Sequence, residues 1–188
     1  QKEKEKKIKE GNQVAEILKS GGVIAYPTDT VYGLGCDPRN KNAVSRLLEI
    51  KQRPEELGLI LLGSSTCGIE DWIDITTQQK EVLVGGSKFP TTYLIPKTSA
   101  APSWITGNHM SVAIRITQKE PIPSFHSILG SPVVSTSANF HGGDELNSFE
   151  AVQRVLSSVV DCIIEGPIDS SAKPSRIVDI LTNEVIRG

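Results

Sequence analysis

The sequence predicts an α/β fold, a mixed sheet with helices packed on it. Short β-branched apolar runs recur along the chain, helical periodicities stand between several of them, and hydroxyl-rich loops follow some of the runs. The 188 residues suit one core, so 1–188 is expected to be a single domain. With 38% hydrophobic and 22% charged residues the chain has enough apolar surface to offset its conformational entropy, unlike a disordered segment.

Lys and Glu alternate over 1–9, a solvated stretch leading into Val14, Ile17 and Leu18, which are spaced for one face of a helix stopping at Gly21 and Gly22. Residues 23–26 read as a buried strand halted by Pro27, delivering the loop PTDTVYGLG. A second helix is expected over 42–51, from Ala43, Val44, Leu47, Leu48 and Ile50, with Asn40 as cap and Pro54 beyond its end. Strands are expected at 59–62, 92–95, 112–116, 133–136 and 162–164, and helices between several of them, clearest at 148–157. Ser148 caps that helix, and Ala151, Val152, Val155 and Leu156 form its inner face. Residues 177–180 and 184–186 form a hairpin turning at Thr182 and Asn183.

Several functions are disfavoured at this point. No apolar run nears the roughly 20 residues that cross a bilayer, and 1–10 is charged, so neither secretion nor a membrane span is expected. Cys36, Cys67 and Cys162 are odd in number and contain no CxxC pair, against a disulfide framework or zinc cluster and in favour of the reducing cytoplasm. The net charge of -2 predicts no strong global attraction to nucleic acid, which leaves any such contact to a local basic patch. Neither GxxxxGK[ST] nor GxGxxG occurs, which excludes a P-loop and a dinucleotide fold. His109, His126 and His141 lack metal-ligand spacing and Cys67 has no apparent partner, so neither metal-centred hydrolysis nor a cysteine nucleophile is expected.

Three constellations can carry chemistry. The loop from Tyr26 to Cys36 sets Thr28, Asp29, Thr30 and Tyr32 beside Gly33 and Gly35; it can wrap a small polar ligand, and it can equally be a turn whose hydroxyls bond their own backbone. Lys51 and Arg53, one residue apart and followed by Pro54, put a point charge and a bidentate guanidinium on a rigid turn suited to phosphate or carboxylate. Spacing alone favours the plainer alternative, two cations complementing a helix dipole. Ser135, Thr136, Ser137 and Asn139 follow an apolar strand end and offer neutral donors and acceptors to phosphate and sugar oxygens, which leans toward binding over a mere turn. Pro174, Ser175 and Arg176 form a weaker late loop of the same kind.

PTDTVYGLGCD at 27–37, KQRP at 51–54, GLILL at 58–62, WITG at 104–107, VAIRI at 112–116 and STSAN at 135–139 together resemble the YrdC/Sua5 family, in order along nearly the whole chain. The resemblance implies a YrdC-like twisted mixed sheet with flanking helices and a concave basic face. It implies a nucleotidyltransferase reaction in which ATP, L-threonine and bicarbonate give threonylcarbamoyl-AMP and pyrophosphate, for the N6-threonylcarbamoyl group at adenosine 37 of tRNA. Family signatures fall on Lys51, Arg53, Ser137 and Asn139 for the nucleotide phosphates, with Ser135 and Ser175 beside them, and on Thr28, Thr30, Tyr32 and Arg115 for threonine. Lys51 and Arg53 would then stabilise charge as a carbamate oxygen attacks the α-phosphorus. Magnesium (Mg2+) would be held mainly by the ATP phosphates, with no metal ligated by the protein. Implied partners are the downstream threonylcarbamoyl transferase machinery and a tRNA or double-stranded RNA contact, with no membrane.

The chain departs from the family pattern in three places. Leu57 stands where a lysine commonly precedes the GLIL strand, 87–92 reads SKFPTT in place of WPGPVT, and Glu120–Pro121 stands where His-Pro follows the arginine strand. These departures motivate the alternative of a catalytically altered family member that binds RNA or associates with the ribosome.

Overall fold

The computed structural model describes residues 13–28, 31–86, 88–139, 146–168 and 174–187. Its strands are β1 (Ile24–Pro27), β2 (Tyr32–Gly35), β3 (Ile60–Gly63), β4 (Thr91–Pro96), β5 (Ser111–Ile116), β6 (Val133–Ser137), β7 (Cys162–Ile163), β8 (Arg176–Asp179) and β9 (Val185–Arg187). Helix α1 covers 13–19, followed by α2 (Lys41–Lys51), α3 (Thr77–Val84), α4 (Ser103–Thr106), α5 (Ile122–Leu129) and α6 (Phe149–Leu156). Among the described residues the strands form one sheet in the order β7-β1-β2-β6-β3-β5-β4-β8-β9. The β1/β7, β3/β5 and β4/β8 pairs are parallel and the rest antiparallel, giving the mixed α/β architecture expected.

Local chemistry sets the ends of the elements. The Asn40 side chain accepts from the Ala43 amide at 3.1 Å, Ser148 does the same for Ala151, and α2 closes on Gln52 in the left-handed region at φ 49°. The expected hairpin is β8 paired antiparallel with β9. Helix α3 had little periodic signal, with only Leu83 buried, whereas α5 buries Ile122, Phe125, His126 and Leu129 at helical spacing behind the prolines that open it.

One expectation needs correcting. The stretch 27–35 is a loop only in its first half, because Tyr32–Gly35 is a strand pairing Gly35 with Ile24 and Gly33 with Tyr26. Its glycines do not break the strand; they admit it. A Cβ on Gly35 would lie 2.7 Å from the Val134 carbonyl oxygen and 2.8 Å from the Tyr26 ring.

Residues opposed across strands share a face. One face carries Leu61, Val134, Ile114 and Ile95 into the larger core, where α2, α4 and α6 pack; the other carries Leu62 and Val133 against Val14, Leu18, Ile122, Phe125 and Leu129 of α1 and α5. Tyr26 and Phe125 meet edge to face there, with centroids 5.4 Å apart. Among the described residues no helix is long and apolar enough to cross a membrane.

His126, 6% exposed, ties α5 to the loop after β3: Nδ1 accepts from the Ser64 amide at 3.1 Å, and Nε2 donates to the Cys67 carbonyl at 2.9 Å. Those partners require the neutral ring, and burial lowers its pKa from the ordinary histidine value. A folded pKa below the unfolded one gives stability that is complete above about pH 6.5 and lost as pH falls toward the folded value. The wild-type urea midpoint is therefore expected to fall between pH 7.5 and 5.5, and to fall less in His126→Gln. Equal falls in both would show that His126 does not carry the effect.

Candidate active site

The face that carries Leu62 also bears the site. Ser137 opposes Gly33, Ser135 opposes Ile60, Leu62 opposes Arg115, and Ile177 opposes both Thr92 and Arg187, so side chains from seven strands form one row. Over that row lies a cavity of about 520 Å³, of the size that holds small-molecule substrates. Its described lining includes Arg53, Arg115 and Arg187, the hydroxyls of Thr28, Thr92, Ser135, Thr136, Ser137 and Ser175, the Asn147 amide, and no carboxylate. Guanidinium groups with hydroxyl and amide donors form a surface for anions, and for phosphate above all.

Several of these polar groups are braced. Arg53, just past the end of α2, donates from Nε and Nη2 to the Gly58 carbonyl at 3.1 and 3.0 Å. Gly58 has φ 73°, and a Cβ there would lie 3.0 Å from the Thr106 carbonyl oxygen. Helix α4 holds that turn from behind, through Leu59 N–H to the Ile105 carbonyl at 2.9 Å. Partial burial lowers the Arg53 pKa from its ordinary value, and the group stays charged at neutral pH. The Thr92 and Ser175 hydroxyls share a hydrogen bond of 2.9 Å, and Arg187 donates to the Ser175 carbonyl at 2.9 and 3.3 Å. Thr28 Oγ1 donates to the Val31 carbonyl at 2.5 Å.

Arg53, Ser135, Ser137, Ser175, Thr28 and Arg115 thus converge on one cavity. Lys51 does not line it. The ammonium is 7% exposed and sits beneath the turn after β6, donating to the Ser137 carbonyl at 2.8 Å, to Ser137 Oγ at 3.5 Å and to Asn139 Oδ1. Asn139 lies in that turn, outside the described lining, its Oδ1 accepting from Ser137 Oγ at 3.1 Å. Lys51 is thus placed behind the turn rather than in the described lining, where α2 brings it from the side of the larger core. Tyr32 is likewise placed in the core, 1% exposed, its hydroxyl held by the Gly166 carbonyl and amide at 3.2 Å each. Thr30 lies outside the described residues.

Arg187, Thr92 and Asn147 were missed in the sequence. The alternation of the expected hairpin was a usable signal for Arg187, one residue past the expected strand. Asn147 carried none: it arrives through long-range bonds, Tyr32 N–H to the Leu146 carbonyl at 3.2 Å and Leu146 N–H to the Ala138 carbonyl at 3.1 Å.

A family model named Sua5/YciO/YrdC and described as telomere recombination matches residues 16–188. The chain belongs to this family. Among relatives, the threonylcarbamoyl-AMP synthase of Xanthomonas oryzae pv. oryzae (strain PXO99A) is 39% identical over 179 residues, covering 94% of this chain and 95% of the relative. Among solved structures, P. abyssi Sua5 complexed with L-threonine superposes with a TM-score of 0.78 at 30% identity, over 88% of this chain and 49% of that one. The chain thus spans about half the length of the P. abyssi protein. E. coli YCIO has a TM-score of 0.74 at 24% identity over 96% of this chain and 91% of that chain, a likeness of fold alone.

Removing the buried ammonium leaves oxygens of the Sua5/YciO/YrdC turn without their donor. Lys51→Ala is expected to cost about 1–3 kcal/mol, a fall in thermal midpoint of roughly 2–10 °C, read by calorimetry. An unchanged midpoint would show that Lys51 does not hold the turn.

Proposed function

We propose that the chain is a threonylcarbamoyl-AMP synthase, making threonylcarbamoyl-AMP and pyrophosphate from ATP, L-threonine and bicarbonate for N6-threonylcarbamoyl modification of adenosine 37 in tRNA. The observation that carries this is the cavity lined by arginines and hydroxyls, assembled from the family's own motifs in a chain so similar to synthases along its whole matched length.

The threonine amine and bicarbonate combine to a carbamate with loss of water; a carbamate oxygen then attacks the α-phosphorus and pyrophosphate leaves. Negative charge grows on the phosphate oxygens, where Arg53 and Arg187 lie in the wall to meet it, with the hydroxyls of Ser135, Ser137 and Ser175 as further donors. Lys51 acts on the nucleotide through the turn bearing Ser137 and Asn139. Thr28, Thr30 and Arg115 hold threonine, and Tyr32 keeps the strand behind Thr28 in place. The described lining offers neutral oxygens and guanidinium groups, a set that fits a nucleotide already carrying magnesium on its phosphates better than a bare ion. Magnesium so bound would offset the charge of the pyrophosphate. In this proposal the product passes to a threonylcarbamoyl transferase acting on tRNA in the cytoplasm.

Pyrophosphate release from ATP is expected to require both L-threonine and bicarbonate, and release without either, or none from folded protein, would refute the proposal. Arg53→Ala is expected to reduce kcat by about 100-fold. Thr30→Ala is expected chiefly to raise the KM for threonine; a fall in kcat alone would remove Thr30 from the threonine site.

A further inference from the structure

Tyr26 is fully buried on β1, and its hydroxyl has no hydrogen-bond partner among the described residues. An unpaired buried hydroxyl costs stability that phenylalanine, of nearly the same volume, would not. The ring itself has a use in packing: it meets Phe125 edge to face and belongs to the core formed with α1 and α5. The hydroxyl needs a separate explanation.

The register shows where it points. Tyr26 opposes Gly33 across β1 and β2, and Gly33 opposes Ser137 across β2 and β6. The ring lies across Gly33 and Gly35, neither of which has a side chain to stop it. A Cβ at Gly33 would lie 3.4 Å from Tyr26 Cζ, and one at Gly35 would lie 2.8 Å from Cε1. The ring therefore crosses β2 toward β6, and its hydroxyl end comes up behind cavity wall that includes Gly33, Ser135 and Arg115. Burial pushes the phenol pKa well above the ordinary tyrosine value, against the weaker pull of the Ser135 hydroxyl and the Arg115 guanidinium. The phenol is thus protonated at neutral pH and available as a donor. The Ser135 oxygen, beside it but short of hydrogen-bond geometry, can accept one bond while its own O–H donates another.

We propose that Tyr26 is a positioning residue of the phosphate site: its hydroxyl donates to Ser135 Oγ once an anion occupies the cavity, which turns the Ser135 O–H toward the phosphate oxygens. In turnover, where the inference rests on the synthase proposal, the relay strengthens as charge grows on those oxygens, because each hydrogen bond in a chain polarises the next.

Tyr26→Phe removes one oxygen and keeps the packed ring. In full-length protein it is expected to lower kcat for pyrophosphate release about tenfold, to leave the KM for threonine unchanged and not to lower the thermal midpoint. Ser135→Ala is expected to lower kcat as well, and adding Tyr26→Phe to it to cost nothing more, since the phenol acts through Ser135. Calorimetric titration with inorganic pyrophosphate reads the same contact without turnover: affinity is expected to fall several-fold in Tyr26→Phe, and no further in the double variant than in Ser135→Ala. Wild-type pyrophosphate affinity in Tyr26→Phe, an undiminished effect of Tyr26→Phe in the Ser135→Ala background, a change confined to the KM for threonine, or a lowered midpoint would overturn the inference. Wild-type protein that binds pyrophosphate but never forms it from ATP would sink the synthase proposal alone, and the titration would still decide the role of Tyr26.

Discussion

A buried ammonium must find oxygens, and the one on Lys51 finds them in the turn that ends the interior strand β6. That constraint couples the two sides of the sheet. Helix α2 packs Val44 and Leu47 into the larger core, and its last residue reaches through to fix Ser137 and Asn139 where the cavity begins. Two residues on, the same helix end supplies Arg53, which grips Gly58 and so fixes the approach to β3. One helix terminus thus sets both the donor side and the hydroxyl side of the site.

The consequence is a site whose charge is local. The whole chain carries a net charge of -2, yet the described cavity wall holds three guanidinium groups and no carboxylate. Elsewhere acidic groups are engaged in structure. Asp161, which burial alone would push up, is drawn below the usual carboxylate range by Arg46 and by the Val23 amide at 2.8 Å, and it thereby ties α2 to β1 and β7. Segregating carboxylates into such ties leaves the described wall of the cavity without an acidic group, which is what recognition of a polyanion needs.

How much of this was legible in the sequence follows from which interactions are local. Strand runs, the caps at Asn40 and Ser148 and the closing hairpin rest on neighbouring residues, and they were readable. The hydroxyl cluster after β6 and the cations after α2 were readable as constellations, because each is compact in sequence. The position of the Lys51 ammonium was not, since its partners lie 86 and 88 residues away. Tyr32 was misplaced for a related reason: a tyrosine among threonines and glycines reads as a loop residue, and only the antiparallel pairing with β1 turns it inward. The polar face of α3 hid a helix that tertiary packing stabilises, and the prolines at the start of α5 drew attention from the helical spacing of Ile122, Phe125 and Leu129.

The departures from the family pattern can now be weighed by where they stand. Leu57 is 49% exposed and absent from the described cavity wall, so the missing lysine takes a charge from the surface beside the site and not from the wall. Glu120 accepts from the Ser124 hydroxyl at 2.6 Å and serves the first turn of α5, a structural use of the place where the family has histidine. Of the described residues in the altered stretch, Thr92 alone reaches the cavity over the sheet, and it keeps the hydroxyl that bonds Ser175. The remaining described members of that stretch, 88–91, stay outside that wall. Substitution has therefore spared the row of side chains over the sheet and worked on its surroundings, the pattern expected where the anion-binding chemistry is retained.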